Sequence, residues 1–196
     1  MKIRALVLAG LLLGNTMFAD APVHSGRVLG SAVAAIRIDL YSDFQCPGCK
    51  ALYEQTIRPL IANYVNQGRV YLVEHYYPLP IHAFAKQAAC YACAADRVGK
   101  YEQVCEVLFK KQDQWEKTGK VDETVCSVLT PAEAAKVRAL AKDPAVLAEV
   151  QQDVALGQQH NVQGTPTMLI SRNGKTYTIA TPVSYAMLSR VLDNLR

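Results

Sequence analysis

The sequence has little of what membrane-spanning or nucleic-acid-binding proteins require. Its N-terminal apolar run, residues 5–13, falls well short of the ~20 residues that span a bilayer, and no later stretch is long enough either. Lys and Arg form no run longer than two, and the net charge is only +4 over 196 residues. No internal repeat and no low-complexity segment beyond Ala-rich stretches is found. The composition therefore argues against a permanent membrane anchor, a nucleic-acid partner and a repeat architecture.

The first residues have the order of a secretory signal peptide. A basic start with Lys2 and Arg4 precedes the apolar run, and small residues follow it. We predict that residues 1–21 are a signal peptide, with cleavage after Ala19 or Ala21. No Cys lies at this boundary, which argues against a lipoprotein. Export together with six cysteines indicates an oxidising compartment where disulfides persist, and we predict the bacterial periplasm.

The remaining chain has the apolar pattern of an α/β protein. After a linker over 22–31, the predicted elements are strand 36–41, helix 49–66, strand 70–77, a helical block over 83–155, strands 168–171 and 176–180, and helix 184–195. Pro59 predicts a kink in the first helix, and Asn173-Gly174 is a strong hairpin turn signal. One sheet covered by helices, with a helical insertion in its middle, fits this order.

Cys46-Pro47-Gly48-Cys49 is the most informative motif, because it lies between the first predicted strand and helix. If Cys46 caps that helix, free N–H groups and the helix dipole favour its thiolate. Its pKa would then fall into the ~3.5–7.5 range of reactive cysteines. Cys49, one turn further, would be shielded and would attack a mixed disulfide formed at Cys46. We therefore predict Cys46 as nucleophile and Cys49 as resolving thiol.

Two other interpretations of the Cys46–Cys49 pair are a structural disulfide and half of a zinc site. A zinc ribbon needs a second pair roughly 15–20 residues further on. The next cysteine, Cys90, follows Cys49 by 41 positions and lies in an Ala-rich segment. The strand-to-helix context in an exported chain favours redox use. The structural alternative corresponds to a non-catalytic binding module.

Taken with other motifs, the pair resembles the DsbA-like branch of the thioredoxin superfamily. In chain order these motifs are Ser42-Asp43-Phe44-Gln45-Cys46-Pro47-Gly48-Cys49, Tyr77-Pro78-Leu79, Gly99-Lys100-Tyr101 with Leu108-Phe109 and Trp115, and Val162-Gln163-Gly164-Thr165-Pro166-Thr167. The resemblance covers nearly all of the chain after the signal peptide. It implies a thioredoxin fold with an inserted helical domain.

In this interpretation residues 22–82 and 158–196 form the thioredoxin fold, and residues 83–157 form the helical insertion. The resemblance also implies a cis peptide between Thr165 and Pro166, although only ~5–6% of X-Pro bonds are cis. The backbone beside that proline would then pair with a substrate peptide as an added strand.

Two features depart from the pattern of the family. Strong oxidants of this branch carry His where this chain has Gly48, so a thiolate-stabilising group is missing and a less oxidising pair is expected. Asp39 is a candidate for the buried, proton-handling acid that often lies under such a site. It precedes Cys46 by seven residues, one more than expected, and one step along a strand reverses the side-chain face. A capped or ion-paired role for Asp39 therefore stays open.

Four further cysteines, Cys90, Cys93, Cys105 and Cys126, lie in the helical block. On a helix, Cys90 and Cys93 have Cβ atoms ~5–6 Å apart, too far for an unstrained disulfide, so a second redox pair is disfavoured. If Gly99 turns a helical hairpin, Cys93 and Cys105 face each other. We predict structural disulfides Cys93–Cys105 and Cys90–Cys126, one of three possible connectivities.

These inferences predict an exported thiol:disulfide oxidoreductase that oxidises folding proteins and is reoxidised by a membrane-bound redox partner. Reduction or isomerisation is the alternative within the same class. The resemblance implies that an isomerase of this superfamily would carry a dimerisation segment before its redox domain. Only ~15 residues separate the signal from the first strand here, too few for such a segment, so we expect a monomer. No cofactor and no metal is expected, because His75 and His82 fit hydrogen-bonded loop residues better than metal ligands.

Overall fold

The computed structural model describes residues 27–195, in which one five-stranded sheet carries the fold. The strands are β1 (Val28–Leu29), β2 (Ile36–Ser42), β3 (Val70–Tyr76), β4 (Thr167–Arg172) and β5 (Lys175–Ile179), in the order β1-β3-β2-β4-β5. Only the β2–β3 pair is parallel among these strands, and the other neighbours are antiparallel. The predicted signal peptide and its cleavage sites lie outside the described residues.

Helices cover the sheet and form most of the chain between β3 and β4. They are α1 (Pro47–Leu52), α2 (Arg58–Leu60), α3 (Ala85–Asp96), α4 (Tyr101–Lys110), α5 (Gln112–Trp115), α6 (Val121–Cys126), α7 (Pro131–Leu140), α8 (Pro144–Gln159) and α9 (Tyr185–Asn194). Within residues 27–195, none of the helices combines the length and the apolar character that crossing a bilayer requires.

Local sequence signals place several boundaries correctly. Asn173 and Gly174 turn the β4–β5 hairpin with φ of 49° and 73°. Thr130 and Glu133 form the reciprocal capping box that begins α7. Pro59 lies in α2 between two π-helical turns, Tyr53–Ile57 and Ile61–Val65, which is how the chain accommodates a proline inside this continuous helical stretch.

Two apolar clusters hold the molecule together. One lies between the sheet and two helical segments, the stretch that begins with α1 and the C-terminal helix α9. Its most buried residues include Ile38, Leu72, Ile170, Leu188 and Leu192. The other fills the helical block around Leu108, Trp115, Val137 and Val146. Cys46 and Cys49 belong to the second cluster, although their helix begins directly after a sheet strand. The thiol pair therefore lies where sheet and helical block meet.

The predicted linker over 22–31 is wrong in part, because β1 lies inside it. β1 has only two residues, too few for an alternating apolar pattern, and it pairs antiparallel with the edge of β3. The helical block also ends later than expected, with α8 continuing to Gln159. The division into residues 22–82, 83–157 and 158–196 stays a prediction.

Candidate active site

The thiol pair lies at the start of α1. Pro47 takes the first helical position, and Cys46 is the N-cap residue with extended backbone angles, φ −79° and ψ 122°. No side chain makes a capping hydrogen bond to this helix. The backbone N–H groups of Gly48 and Cys49 in its first turn act on the Cys46 sulfur. The sequence order strand, Cys46, Pro47 therefore produces the helix-capping thiol that the motif predicts.

The two thiols differ strongly in acidity. The pKa of Cys46 falls from 9.0 to about 5, and the hydrogen bond from the Cys49 thiol is the largest cause of this change. Burial alone would raise the pKa, but the backbone N–H groups of Cys49 and Gly48 help to lower it. Burial and the nearby Cys46 sulfur raise the pKa of Cys49 well above 9.0. Cys46 keeps 8% of its surface exposed and Cys49 only 1%, so an external disulfide reaches Cys46 first.

Thr165 and Pro166 lie against the thiol pair, as predicted from the resemblance. The Thr165–Pro166 peptide is cis. The Cys46 Sγ lies 3.3 Å from the carbonyl oxygen of Thr165. A Cβ atom on Gly48 would lie 3.3 Å from Cδ of Pro166 and 3.1 Å from Cγ of Pro182. The two prolines therefore occupy the space that a larger side chain at position 48 would need.

Asp43 fixes the loop that leads into the thiol pair. Its buried carboxylate accepts hydrogen bonds from the backbone N–H groups of Gln45 (2.7 Å) and Leu79 (2.8 Å) and from Nδ1 of His82 (2.7 Å). Its own backbone N–H donates to Cys49 Sγ at 3.4 Å. Asp43 thus ties the resolving thiol to the loop after β3. His82 has the hydrogen-bonded loop role that the sequence favours.

Gln112 reaches the same loop from the helical block. Its buried side-chain amide donates to the carbonyl oxygens of Phe44 (2.7 Å) and Cys46 (3.1 Å). Sequence reasoning missed both Asp43 and Gln112 as site residues. Asp43 is part of the motif and could have been found from its place between strand and helix. Gln112 gives no local signal.

Asp39 lies on the sheet face away from the thiol pair and has the ion-paired role that the sequence leaves open for it. It pairs with Arg37, at 2.6 Å between Oδ1 and Nη2, and accepts from Nε2 of His75 at 2.9 Å. Burial would raise the pKa of Asp39, but the hydrogen bonds from Arg37 and His75 lower it to about 2. The physical reason is the strand alternation: Leu40, not Asp39, faces the helix that carries the cysteines.

His75 joins two buried aspartates on that other face of the sheet. It donates from Nδ1 to Asp153 (3.0 Å) and from Nε2 to Asp39 (2.9 Å), and Asp153 is also paired with Arg27. Burial alone would lower the pKa of His75, but the hydrogen bonds to Asp153 and Asp39 raise it above 6.5. The imidazolium therefore stabilises the fold fully below pH 6.5, and this contribution is lost as the pH rises through the folded-state pKa.

Replacing His75 with glutamine is expected to destabilise the protein more at pH 5.5 than at pH 9. At pH 5.5 the loss should be about 3 kcal/mol, because two buried carboxylates lose their cationic partner. Urea unfolding of the wild type and His75→Gln at both pH values measures the difference. Equal destabilisation at the two pH values would contradict a positively charged His75 in the folded protein.

The remaining four cysteines lie on three helices of the helical block, Cys90 and Cys93 on α3, Cys105 on α4 and Cys126 on α6. All six cysteines are free thiols in the structure, so neither predicted pair, Cys93–Cys105 or Cys90–Cys126, is formed. Burial is the first cause that raises the pKa of all four thiols, to about 12 for Cys93. Cys93 also contacts Glu149 on α8, whereas Cys105 contacts Tyr101 on its own helix. The connectivity stays a prediction, which non-reducing peptide mapping of the oxidised chain tests.

Comparison with known proteins decides the family. The family model described as Thioredoxin matches residues 23–194. The chain belongs to the thioredoxin family. The crystal structure of Wolbachia pipientis alpha-DsbA1 is similar in fold, with a TM-score of 0.73 and 16% sequence identity over 86% of this chain and 89% of that one. The predicted thioredoxin fold and its likeness in fold to DsbA structures are therefore confirmed.

Two curated proteins are similar in sequence. One is described as probable disulfide bond formation protein D of Bacillus anthracis, 23% identical over 170 residues, covering 82% of this chain and 75% of that protein. The other is the Na(+)/H(+) antiporter NhaA 3 of Salinispora tropica, 27% identical over 158 residues. The match covers 80% of this chain but only 23% of the antiporter, so the chain spans about a quarter of that relative.

Proposed function

We propose that this protein is an exported thiol:disulfide oxidoreductase that introduces disulfides into folding proteins through Cys46 and Cys49. A substrate thiolate attacks Sγ of Cys46 in the Cys46–Cys49 disulfide, a mixed disulfide forms, and Cys49 leaves with the electron pair of the broken bond. A second substrate thiolate attacks the substrate sulfur of the mixed disulfide. The substrate disulfide forms and Cys46 leaves as a thiolate.

The acidity of Cys46 is the observation that carries the oxidising direction. A thiol with a pKa of about 5 is a good leaving group at neutral pH. The same stabilised thiolate favours the reduced protein, and a stabilised reduced form makes the disulfide a stronger oxidant. Because Gly48 contributes only its backbone N–H, the pair is proposed to be a milder oxidant than relatives that carry His there.

The Thr165–Pro166 segment is the proposed substrate-binding site. The Thr165 carbonyl oxygen lies 3.3 Å from the reactive sulfur, so a peptide whose cysteine reaches Cys46 passes along this backbone. Backbone pairing of this kind places few demands on side chains, which suits an enzyme with many unfolded substrates. The chain is proposed to act as a periplasmic monomer, with a membrane-bound redox partner accepting the two electrons that substrate oxidation leaves on the dithiol.

The redox potential of the Cys46–Cys49 pair tests the proposed direction. We expect a value closer to about −120 mV, a strong oxidant, than to about −270 mV, a reductant of the thioredoxin kind. Oxidation of reduced ribonuclease should then be faster than reduction of insulin. The reverse order would favour the reductase or isomerase alternative. A Cys46 that does not react in either assay would favour a binding module.

A further inference from the structure

One buried amide of the helical block holds the backbone around Cys46. Gln112 is only 3% exposed, and its side-chain nitrogen lies 2.7 Å from the carbonyl oxygen of Phe44 and 3.1 Å from that of Cys46. An amide NH2 group carries two protons, so it can donate to both oxygens at once. The two carbonyls belong to the residues on either side of Gln45. Gln112 therefore fixes the chain just before the nucleophile and just after it.

Gln112 is itself held in place by its neighbours on α4 and α5. The fully buried Trp115 donates its indole N–H to the carbonyl oxygen of Leu108 at 2.8 Å, which ties α5 back onto α4. Phe109 of α4 packs against the ring of Phe44, with 4.9 Å between the ring centroids. The helical block thus binds Phe44 twice, at its ring and at its carbonyl. The donor that reaches the thiol loop is therefore supported by packed side chains.

The carbonyl of Cys46 decides where the sulfur lies. It accepts the backbone N–H groups of Cys49 (3.1 Å) and Lys50 (3.2 Å), which begin α1. Pro47 has no N–H by which a neighbour could hold the peptide group between it and Cys46. The bond from Gln112 restrains this group from outside the helix. The direction of the carbonyl fixes the ψ angle of Cys46, 122°, and with it the position of Sγ relative to the helix start.

The reduced form of the protein depends on this placement more than the oxidised form does. The hydrogen bond from Cys49 is the first cause that lowers the pKa of Cys46, and the backbone N–H groups of Cys49 and Gly48 assist. Such bonds weaken steeply when donor and acceptor are misaligned. In the oxidised protein the disulfide holds Sγ covalently, whereas in the reduced protein the backbone has to keep it in position.

We propose that Gln112 is a positioning residue for the Cys46 thiolate, because it holds the Phe44 and Cys46 carbonyls so that Sγ stays over the N–H groups that begin α1. The proposal rests on the proposed disulfide exchange at Cys46. Gln112 acts through the backbone and transfers neither protons nor electrons. By stabilising the reduced form selectively it makes the disulfide a stronger oxidant. This support comes from the helical block, at a site where Gly48 supplies no side chain.

Gln112→Met tests this proposal. Methionine has nearly the same length as glutamine but no N–H donor, so both hydrogen bonds are lost while most of the packing is kept. The ultraviolet titration midpoint of Cys46 in the reduced variant should rise by about 0.5 to 1 pH unit. The equilibrium constant for reduction of the variant by glutathione should fall about 3- to 10-fold, since one pKa unit corresponds to a tenfold factor.

A merely structural role of Gln112 predicts a different pattern. It would destabilise the oxidised and the reduced protein equally in urea, and the titration midpoint and the glutathione equilibrium would not change. We expect Gln112→Met to destabilise the reduced protein more than the oxidised one. The matched control is Gln114→Met, which changes an exposed glutamine on the same helix and should leave the midpoint and the equilibrium at the wild-type values.

Nuclear magnetic resonance of the wild type decides the matter if Gln112→Met fails to fold. The side-chain NH2 resonances of Gln112 should shift with the same pH midpoint as Cys46 in the reduced protein, because they bind the carbonyl of the titrating residue. They should not shift over that range in the oxidised protein.

Three results would overturn the assignment of Gln112. They are NH2 resonances that do not follow the Cys46 titration, a Gln112→Met protein with the wild-type midpoint and equilibrium, and an equal shift of the midpoint in Gln114→Met. A wild-type protein whose Cys46 titrates near 9.0, or that forms no mixed disulfide with glutathione, would instead contradict the proposed function. The two failures are therefore distinguishable.

Discussion

Cys46→Ser is expected to abolish disulfide exchange, with a loss of at least about 10³-fold in the oxidation of reduced ribonuclease. Serine keeps the size and the helix-capping position, but its alcohol is neither a nucleophile nor a leaving group for sulfur at neutral pH. Because Cys49 is only 1% exposed, it cannot take over the reaction with protein substrates. The assay is run with equal concentrations of folded, oxidant-treated wild type and variant.

Cys49→Ser should give a different result from Cys46→Ser. Attack by Cys46 on a disulfide is retained, but no internal thiol resolves the product, so a mixed disulfide accumulates and is visible on non-reducing gels. Cys126→Ser is the matched control, since this partly buried thiol lies on α6 with a raised pKa, and it should leave exchange unchanged. If the mixed disulfide accumulated in Cys46→Ser and not in Cys49→Ser, the roles assigned to the two cysteines would have to be exchanged.

Alkylation of the reduced protein should be nearly independent of pH above about 6 and fall about tenfold per pH unit below 5. The hydrogen bond from Cys49 is the main reason that the pKa of Cys46 is about 5. At pH 6 the fraction of Cys46 present as thiolate is roughly 300 times that of free cysteine. The Cys46 thiolate is less basic, however, and this lowers its intrinsic nucleophilicity roughly 40-fold. A net acceleration of about tenfold over free cysteine is therefore expected, measured with iodoacetamide.

The same pKa has a consequence for stability. The folded-state pKa of Cys46 lies below 9.0, so the thiolate contributes stability that is fully present above pH 9 and is lost as the pH falls to about 5. The difference in unfolding free energy between reduced wild type and Cys46→Ser should shrink over that interval. The oxidised protein has no such titration, and it is the internal control. A pH-independent difference would contradict a stabilised thiolate.

The sequence is sufficient where the deciding contacts are local. The helix-capping thiol follows from the order strand, Cys46, Pro47, and the β4–β5 hairpin from Asn173-Gly174, because neighbouring residues alone determine these conformations. The cis Thr165–Pro166 peptide is different. It is expected only from the family resemblance, since nothing in the local sequence makes that bond cis.

The supporting residues of the site depend on contacts between distant parts of the chain. Gln112 reaches the Phe44 carbonyl across 68 residues, and it does so only because the helical block folds back against the loop before α1. Asp39 shows the limit most clearly. Its seven-residue distance from Cys46 leaves open whether it serves the thiols or is ion-paired, and only the folded strand decides this by turning the side chain to the opposite face, where Arg37 and His75 bind it.

Ultraviolet titration of the thiolate in the reduced protein is the most direct test of this account. Absorbance near 240 nm should rise in one step with a midpoint at about pH 5, and the step should be missing in Cys46→Ser. A midpoint near 9.0, the ordinary value for a cysteine thiol, would show that the helix start and Cys49 do not stabilise the Cys46 thiolate. The proposed oxidising function would then lose its physical basis.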